Sequence, residues 1–145
     1  MVSEDASDGP APRADAFPGR GETVLVVEDD PRVRRLAVRR LAGLGYRVLE
    51  AADGPGALSV LEASWVDLLF SDMAMPGGMT GVDLVRRARE RQPGLPAVIT
   101  SGYAVPESLA DLPPGTGWLP KPYTGLGLAR ALRAGLDGAA VPDGA

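Results

Sequence analysis

Acidic, hydroxyl and ammonium side chains stand at four places in the sequence where a run of apolar residues ends. Glu28 and Asp29 follow the first run, and Asp72 follows a later one. Thr100 and Lys121 come at the ends of two further runs. Carboxylates that are brought together repel one another unless a cation joins them. Mg²⁺ prefers oxygen ligands, so these acids could hold Mg²⁺, with Mn²⁺ as a possible substitute.

The same residues could support phosphoryl chemistry. A carboxylate such as that of Asp72 can attack a phosphoryl group and form an acyl phosphate. A metal ion, the Lys121 ammonium and the Thr100 hydroxyl would stabilise the charge on the phosphoryl oxygens. Each residue alone has an ordinary explanation, since an acid after a strand is usually a turn residue and Asp30 before Pro31 is typical of a helix cap. The prediction therefore depends on their occurrence together at four strand ends.

The composition excludes several classes of site and partner. The 145 residues include no cysteine and no histidine, which excludes disulfides, thiolate metal sites, a histidine base and a phosphohistidine carrier. The net charge of −4 argues against nucleic acid as the main partner. No apolar run approaches the roughly 20 residues of a membrane helix, and the N-terminus lacks the features of a signal peptide. We therefore expect a cytoplasmic protein that binds neither membrane nor nucleic acid.

Strand and helix patterns alternate along the chain and predict five strand–helix units. Strands are predicted over residues 23–27, 46–51, 67–71, 96–100 and 118–119, and helices over residues 31–44, 54–64, 82–91, 107–112 and 124–136. Five such units imply a single doubly wound α/β domain of the (βα)5 type over residues 21–137, with helices on both faces of a parallel sheet. Residues 1–20 and 138–145 have almost no large apolar residues and are predicted to be disordered tails.

The first predicted helix has an apolar stripe and a basic remainder. Leu36, Leu41 and Leu44 are predicted to lie on the stripe. The other faces carry Arg32, Arg34, Arg35, Arg39 and Arg40. Ligands of such sheets bind beyond the carboxyl ends of the strands, so the basic surface should lie beside the predicted site. Two interpretations stay open, a solvated surface or a docking face for a helical partner.

Four stretches of the sequence together carry a specific resemblance. They are residues 24–31, 67–84, 98–102 and 121–123. Over residues 22–137 the chain resembles bacterial response-regulator receiver domains of two-component systems. Residues 75–81 and 100–103 look most like receivers of hybrid sensor kinases. The resemblance implies a central five-stranded parallel sheet with the strand order 2-1-3-4-5.

The resemblance also implies a role for each site residue. Asp72 would accept a phosphoryl group from a histidine kinase or a histidine phosphotransfer protein. The metal ligands would be Glu28, Asp29, Asp72 and the backbone carbonyl of Ala74. The phosphoryl group would be stabilised by Thr100 and Lys121. A surface around these residues would then change its affinity for a downstream protein that the sequence does not identify.

Two further positions match the family pattern. Trp118 corresponds to the switch aromatic, which turns inward when Thr100 moves towards the phosphoryl group. The bond between Lys121 and Pro122 is cis in the family. Ala74 departs from the pattern because it offers no side chain to orient an attacking water, so we expect slow self-dephosphorylation. The resemblance implies a phosphoacceptor that assists its own modification, and we expect no turnover of a separate substrate.

Three other functions fit parts of the same pattern. A phosphorylation-independent protein-binding module on this fold would need no metal, and the complete set of site residues argues against it. A hydrolase with an aspartyl nucleophile would need a second acid two residues after Asp72, where Ala74 stands. A flavin-binding protein of this topology would need a hydroxyl-rich phosphate loop after the first strand, where acids stand instead.

Overall fold

Five parallel strands form a single sheet in the computed structural model, which describes residues 13–102 and 112–138. The strands are β1 (Thr23–Val27), β2 (Arg47–Ala51), β3 (Leu68–Asp72), β4 (Ala97–Ser101) and β5 (Thr116–Pro120). The α-helices of the described residues are α1 (Pro31–Gly43), α2 (Gly54–Ala63), α3 (Gly81–Arg91) and α4 (Gly125–Leu136). The strand order is β2-β1-β3-β4-β5, which confirms the predicted fold.

The observed boundaries differ from the predicted ones by a few residues. Asp72 is the last residue of β3 and not the first residue after it, because β3 extends to pair Asp72 with Thr100 of β4. The fifth strand is longer than predicted, because Thr116 and Gly117 also pair with β4. The helix predicted over residues 107–112 lies almost entirely outside the described residues, as does the C-terminal tail.

The sheet is buried between two layers of helices. Side chains of β1 alternate, so that Val24 and Val26 face α1 and α4 while Leu25 and Val27 face α2 and α3. All four of these residues are fully buried. Because both faces of the sheet are buried, the central strands consist of continuous runs of apolar residues.

Helix α1 begins at the predicted cap but places one leucine differently. The Asp30 side chain accepts hydrogen bonds from the backbone N–H groups of Arg32 (2.9 Å) and Val33 (3.5 Å). Leu41 is fully buried against the sheet, as its place on the stripe predicted. Leu36 is 48% exposed, so its predicted place on the inward stripe is wrong. It instead lines an open groove beside the end of β5, together with Val33 and Arg40.

Part of the predicted N-terminal tail packs on the domain. The N-terminal segment, residues 13–22, contains a short 3₁₀ helix, Ala14–Ala16, that packs against α4. The guanidinium of Arg130 lies 5.4 Å from the centre of the Phe17 ring, and Arg133 donates a hydrogen bond to the Pro18 carbonyl. For residues 13–20, these contacts differ from the disordered tail that the sequence predicted. Phe17, an aromatic residue among small and polar ones, is the sequence signal for this packing.

An ion pair joins this segment to α4 and should make stability depend on pH. Burial raises the pKa of Glu22, but hydrogen bonds from Arg133 and from the Arg20 backbone outweigh it and lower the pKa to about 2. A lowered pKa contributes stability above the unfolded value and loses it as the pH falls towards the folded value. We expect Glu22→Gln to lower the free energy of unfolding by about 1 kcal/mol at pH 6, a figure reduced for solvent screening.

Denaturant unfolding of the wild type and of Glu22→Gln between pH 6 and pH 2.5 measures this dependence. The difference between the two proteins should shrink as the pH falls below about 4.5, where Glu22 of the unfolded chain becomes protonated. A difference that stays constant over this range would show that the ion pair with Arg133 does not cause the effect.

Candidate functional site

The predicted site residues meet at the carboxyl edge of the sheet. Glu28 directly follows β1, Asp72 ends β3, and Lys121 directly follows β5. Thr100 lies in β4 as the register partner of Asp72. Four strand ends therefore bring residues that are far apart in the sequence to one place, as the alternation of strands and helices predicted.

Three carboxylates form a compact cluster at this edge. Glu28, Asp29 and Asp72 each place one oxygen within 4.8 Å of the other two. Glu28 and Asp72 are buried, whereas Asp29 is exposed. Burial and the charge of Glu28 raise the pKa of Asp72, and the nearby Lys121 ammonium opposes both effects. The cluster thus concentrates negative charge where solvent screens it poorly.

The side-chain ammonium of Lys121 lies within this cluster. Its ammonium lies 2.9 Å from Glu28 Oε1 and 3.5 Å from Asp72 Oδ2. Burial alone would lower the pKa of Lys121, but its hydrogen bond to Glu28 and the charges of both acids raise it. Lys121 is therefore a positively charged group held between two of the acids. Its peptide bond to Pro122 is cis, as the family pattern implied.

The donors fit a divalent metal ion. Three carboxylates from two strand ends are hard oxygen ligands, and one of them stays open to solvent. A single ammonium does not neutralise three acids, so the cluster keeps an excess of negative charge. Glu28, Asp29 and Asp72 are the side chains that would hold the ion. Ala74, whose carbonyl was the fourth predicted ligand, lies in the exposed loop after β3.

Two of the residues predicted to take part in the switch have buried polar atoms with no hydrogen-bond partner among the described residues. One is Thr100 Oγ1 and the other is Trp118 Nε1. The Thr100 hydroxyl is thus available to a group that binds next to Asp72. Trp118 is only 7% exposed and packs in the apolar core between the sheet and α3. It was expected to turn inward on phosphorylation, yet it is already buried in this structure.

Sequence reasoning missed two residues that hold the site backbone. Arg34 of α1 donates a 2.7 Å hydrogen bond to the Glu28 carbonyl, although the sequence marked it only as one arginine of a basic surface. Gly81 donates a backbone hydrogen bond to the Met73 carbonyl. A Cβ atom at Gly81 would lie 2.5 Å from the Asp72 carbonyl oxygen. Only a glycine therefore lets α3 begin this close to the acceptor strand.

We expect Gly81→Ala to destabilise the fold and disturb the site. The new methyl group would press on the Asp72 backbone, which cannot move without shifting β3. Overpacking of this kind costs about 1–3 kcal/mol. Gly43→Ala is the matched control, because its Cβ would meet nothing within 4 Å at the end of α1. Thermal unfolding should show a lower midpoint for Gly81→Ala alone, and equal midpoints for the two variants would contradict the close approach.

Comparison with known proteins agrees with this geometry. The sequence pattern described as "Response regulator receiver domain" matches residues 24–113. The chain belongs to the response regulator receiver domain family. It is 40% identical over 119 residues to the sensor kinase CckA of Brucella abortus, a match that covers 79% of this chain and 12% of that protein. It is 34% identical over 116 residues to the transcriptional regulatory protein GlrR of Escherichia coli, with 79% and 26% covered.

Solved structures of receivers have the same fold as this one. The receiver domain of the hybrid histidine kinase CckA aligns with a TM-score of 0.68 at 39% identity, over 79% of this chain and 98% of that one. The Vibrio cholerae chemotaxis protein CheY4 aligns with a TM-score of 0.71 at 30% identity, with 79% and 98% covered. This chain therefore spans a whole receiver domain but only a small part of CckA or GlrR.

Within residues 13–102 and 112–138, no helix combines the length and the apolar character that a bilayer crossing requires.

Proposed function

We propose that this receiver domain takes a phosphoryl group onto Asp72 in a Mg²⁺-dependent reaction and acts as a phosphorylation switch. The proposal rests on the cluster of three carboxylates with the half-buried ammonium of Lys121 between two of them. Thr100 is the register partner of Asp72, and its hydroxyl has no hydrogen-bond partner among residues 13–102 and 112–138. The carboxylate nucleophile, the Lys121 ammonium and the Thr100 hydroxyl therefore lie at one edge of the sheet.

The proposed reaction moves one phosphoryl group between two proteins. An oxygen of Asp72 attacks the phosphorus atom of a phosphohistidine while the bond from phosphorus to the imidazole nitrogen breaks, and the imidazole leaves with a proton from solvent. Lys121 and Thr100 stabilise the charge that develops on the phosphoryl oxygens. A metal ion held by Glu28, Asp29 and Asp72 would neutralise part of the same charge.

We also assign the donor a docking surface beside the site. A groove between α1 and the end of β5 is lined by Val33, Leu36, Arg40, Gly102, Lys121, Pro122 and Tyr123. Leu36 is half-exposed there, and α1 presents further arginines beside it. A helical partner with an apolar stripe and acidic flanks would fit this surface. A histidine kinase or a histidine phosphotransfer protein is the proposed partner.

Phosphorylation would alter the surface around Thr100. A phosphoryl group adds about −1.5 to −2 charges and strong acceptor oxygens, which attract the Thr100 hydroxyl and Lys121. Both residues lie at strand ends, and Trp118 of β5 is paired in register with Ile99, the neighbour of Thr100. A shift at Thr100 would therefore be transmitted to the surface formed by β4 and β5, where a downstream protein would bind.

The aspartyl phosphate should be long-lived. Ala74, two residues after the acceptor, has no polar side chain to orient a water molecule towards the phosphorus atom. We expect the isolated phosphoprotein to persist for many minutes, and Ala74→Asn to hydrolyse at least about tenfold faster by providing such a group. The decay of the phosphorylated mass after the donor has been removed measures both rates. A wild-type half-life of seconds would contradict this expectation.

Intact-mass spectrometry after incubation with acetyl phosphate tests the proposal. With Mg²⁺ present, the wild type should gain the mass of one phosphoryl group, and chelation of the metal with EDTA should prevent the gain. If neither acetyl phosphate nor phosphoramidate modifies the protein at any Mg²⁺ concentration, the proposal is wrong. The phosphorylation-independent binding module would then be the better interpretation.

A further inference from the structure

Arg34 connects the first turn of α1 to the acid cluster. It is the fourth residue of α1, and its backbone N–H donates to the Asp30 carbonyl, so the capped helix end fixes its position. Its Nη1 donates a 2.7 Å hydrogen bond to the carbonyl oxygen of Glu28. Its Nε lies 3.1 Å from Glu50 Oε1 at the neighbouring strand β2. The side chain is 21% exposed, so much of it is shielded from water.

The hydrogen bond from Arg34 is one of several that hold Glu28 in place. The Glu28 backbone N–H donates to the Ala51 carbonyl at 3.1 Å, which continues the pairing of β1 with β2. The Glu28 carboxylate accepts from the Asp30 backbone N–H through Oε2 at 3.1 Å. With the carbonyl bound to Arg34, both backbone polar groups and one carboxylate oxygen of Glu28 are held. Oε1 is then the oxygen directed at Lys121, at 2.9 Å.

Glu50 determines how Arg34 can act on this site. The ion pair with Glu50 offsets the positive charge of the guanidinium and directs its Nη1 towards the Glu28 carbonyl. The main contribution of Arg34 to the acid cluster is therefore a directed hydrogen bond, because Glu50 offsets its positive charge. A cation placed near a metal site without such a hydrogen bond would only weaken metal binding by repulsion.

We propose that Arg34 is a positioning residue for the divalent metal, holding Glu28 in the orientation in which its carboxylate can share the ion with Asp29 and Asp72. This inference rests on the proposed function, because it assigns Arg34 to the same acid cluster. It adds Arg34, a residue outside the three acids, and predicts that replacing Arg34 lowers the affinity of the site for the metal ion. Groups that orient metal ligands typically change affinity by about 10- to 100-fold when they are removed.

The Arg34→Gln variant gives opposite results for the two possible roles. If Arg34 acts only through its charge, removing that charge should strengthen Mg²⁺ binding, because one repelling cation is gone. If it acts by holding Glu28, the affinity for Mg²⁺ should fall by about tenfold or more. Isothermal titration calorimetry with Mg²⁺ measures the dissociation constant directly, and the electron paramagnetic resonance signal of free Mn²⁺ provides an independent value.

Arg35→Gln is the matched control. Arg35 is the next residue of α1 and its side chain is exposed, so the variant removes the same charge without touching the Glu28 carbonyl. Its Mg²⁺ affinity should equal that of the wild type or be slightly higher. The rate of modification by acetyl phosphate at saturating Mg²⁺ should remain within about threefold of the wild-type rate in Arg34→Gln, because the acceptor, Lys121 and Thr100 are unchanged.

The outcomes separate this inference from the proposed function. Weaker Mg²⁺ binding in Arg34→Gln alone, with a normal rate at saturating metal, supports the positioning role. Unchanged or tighter binding in Arg34→Gln, or equal losses in both variants, would overturn it while wild-type phosphorylation still stands. A wild type that binds no Mg²⁺ overturns it as well, and a wild type that acetyl phosphate never modifies refutes the proposed function whatever Arg34 does.

Discussion

An Asp72→Asn variant will gain no phosphoryl group from acetyl phosphate under conditions that fully modify the wild type. The asparagine amide has the size of the carboxylate but lacks its negative charge, so it does not attack phosphorus. The neutral side chain should also fit the site well. Burial and the charge of Glu28 raise the pKa of Asp72, which means that the fold disfavours its ionised form. Stability should therefore not fall with the substitution, and intact-mass spectrometry reports the modification directly.

Asp29→Asn is the control for this prediction. It removes a carboxylate from the same cluster but leaves the acceptor in place. Its modification should slow at low Mg²⁺ and recover as the Mg²⁺ concentration is raised, because only a metal ligand has been weakened. If Asp72→Asn became modified at a rate near that of the wild type, another residue would be the acceptor and the assignment would be wrong.

Lys121→Met should slow modification by acetyl phosphate by about 100-fold or more at saturating Mg²⁺. The ammonium lies 2.9 Å from Glu28 and 3.5 Å from Asp72, so a phosphoryl group on Asp72 would be within its reach. Removing one preorganised partner of the developing charge typically costs about 10²–10³ in rate. Methionine keeps a similar length and apolar stem, so packing beside Pro122 should change little. The rate is measured from the phosphorylated fraction over time.

The same variant should bind Mg²⁺ more tightly than the wild type. Lys121 pairs with Glu28 in the structure, and its loss frees that carboxylate for the metal. Arg40→Gln is the matched control, since Arg40 lines the same groove and the substitution also removes one positive charge. That variant should keep the wild-type rate with this small donor. A Lys121→Met rate within threefold of the wild-type rate would exclude a role for the ammonium in the transfer.

Much of this architecture could be predicted from the sequence because its signals are local. Continuous apolar runs identified the buried strands, and Asp30 followed by Pro31 identified the start of α1. The alternation of the two element types then fixed which residues share the carboxyl edge. The acids, Thr100 and Lys121 were therefore placed at one site without knowledge of any distance.

The contacts that could not be predicted depend on tertiary geometry. The sequence shows Arg34 as one of several arginines, and only the approach of α1 to the end of β1 singles it out. Leu36 has the spacing of an inward residue, but in the structure it lines an open groove and stays half-exposed. Phe17 stands in a segment of tail-like composition, and its contact with Arg130 arises only when α4 is in place. In each case, the environment of the side chain depends on an element that is distant in the sequence.

Locating the phosphoryl group tests most directly whether Asp72 is the acceptor. The protein is modified with acetyl phosphate and Mg²⁺, and the acyl phosphate is reduced to an alcohol with borohydride. Peptide mass spectrometry then identifies the reduced acid, which is homoserine where the acid was an aspartate. Conversion is expected at Asp72 and at no other acid. Conversion at Asp29 or Glu28, or modification of a hydroxyl group that borohydride leaves intact, would contradict it.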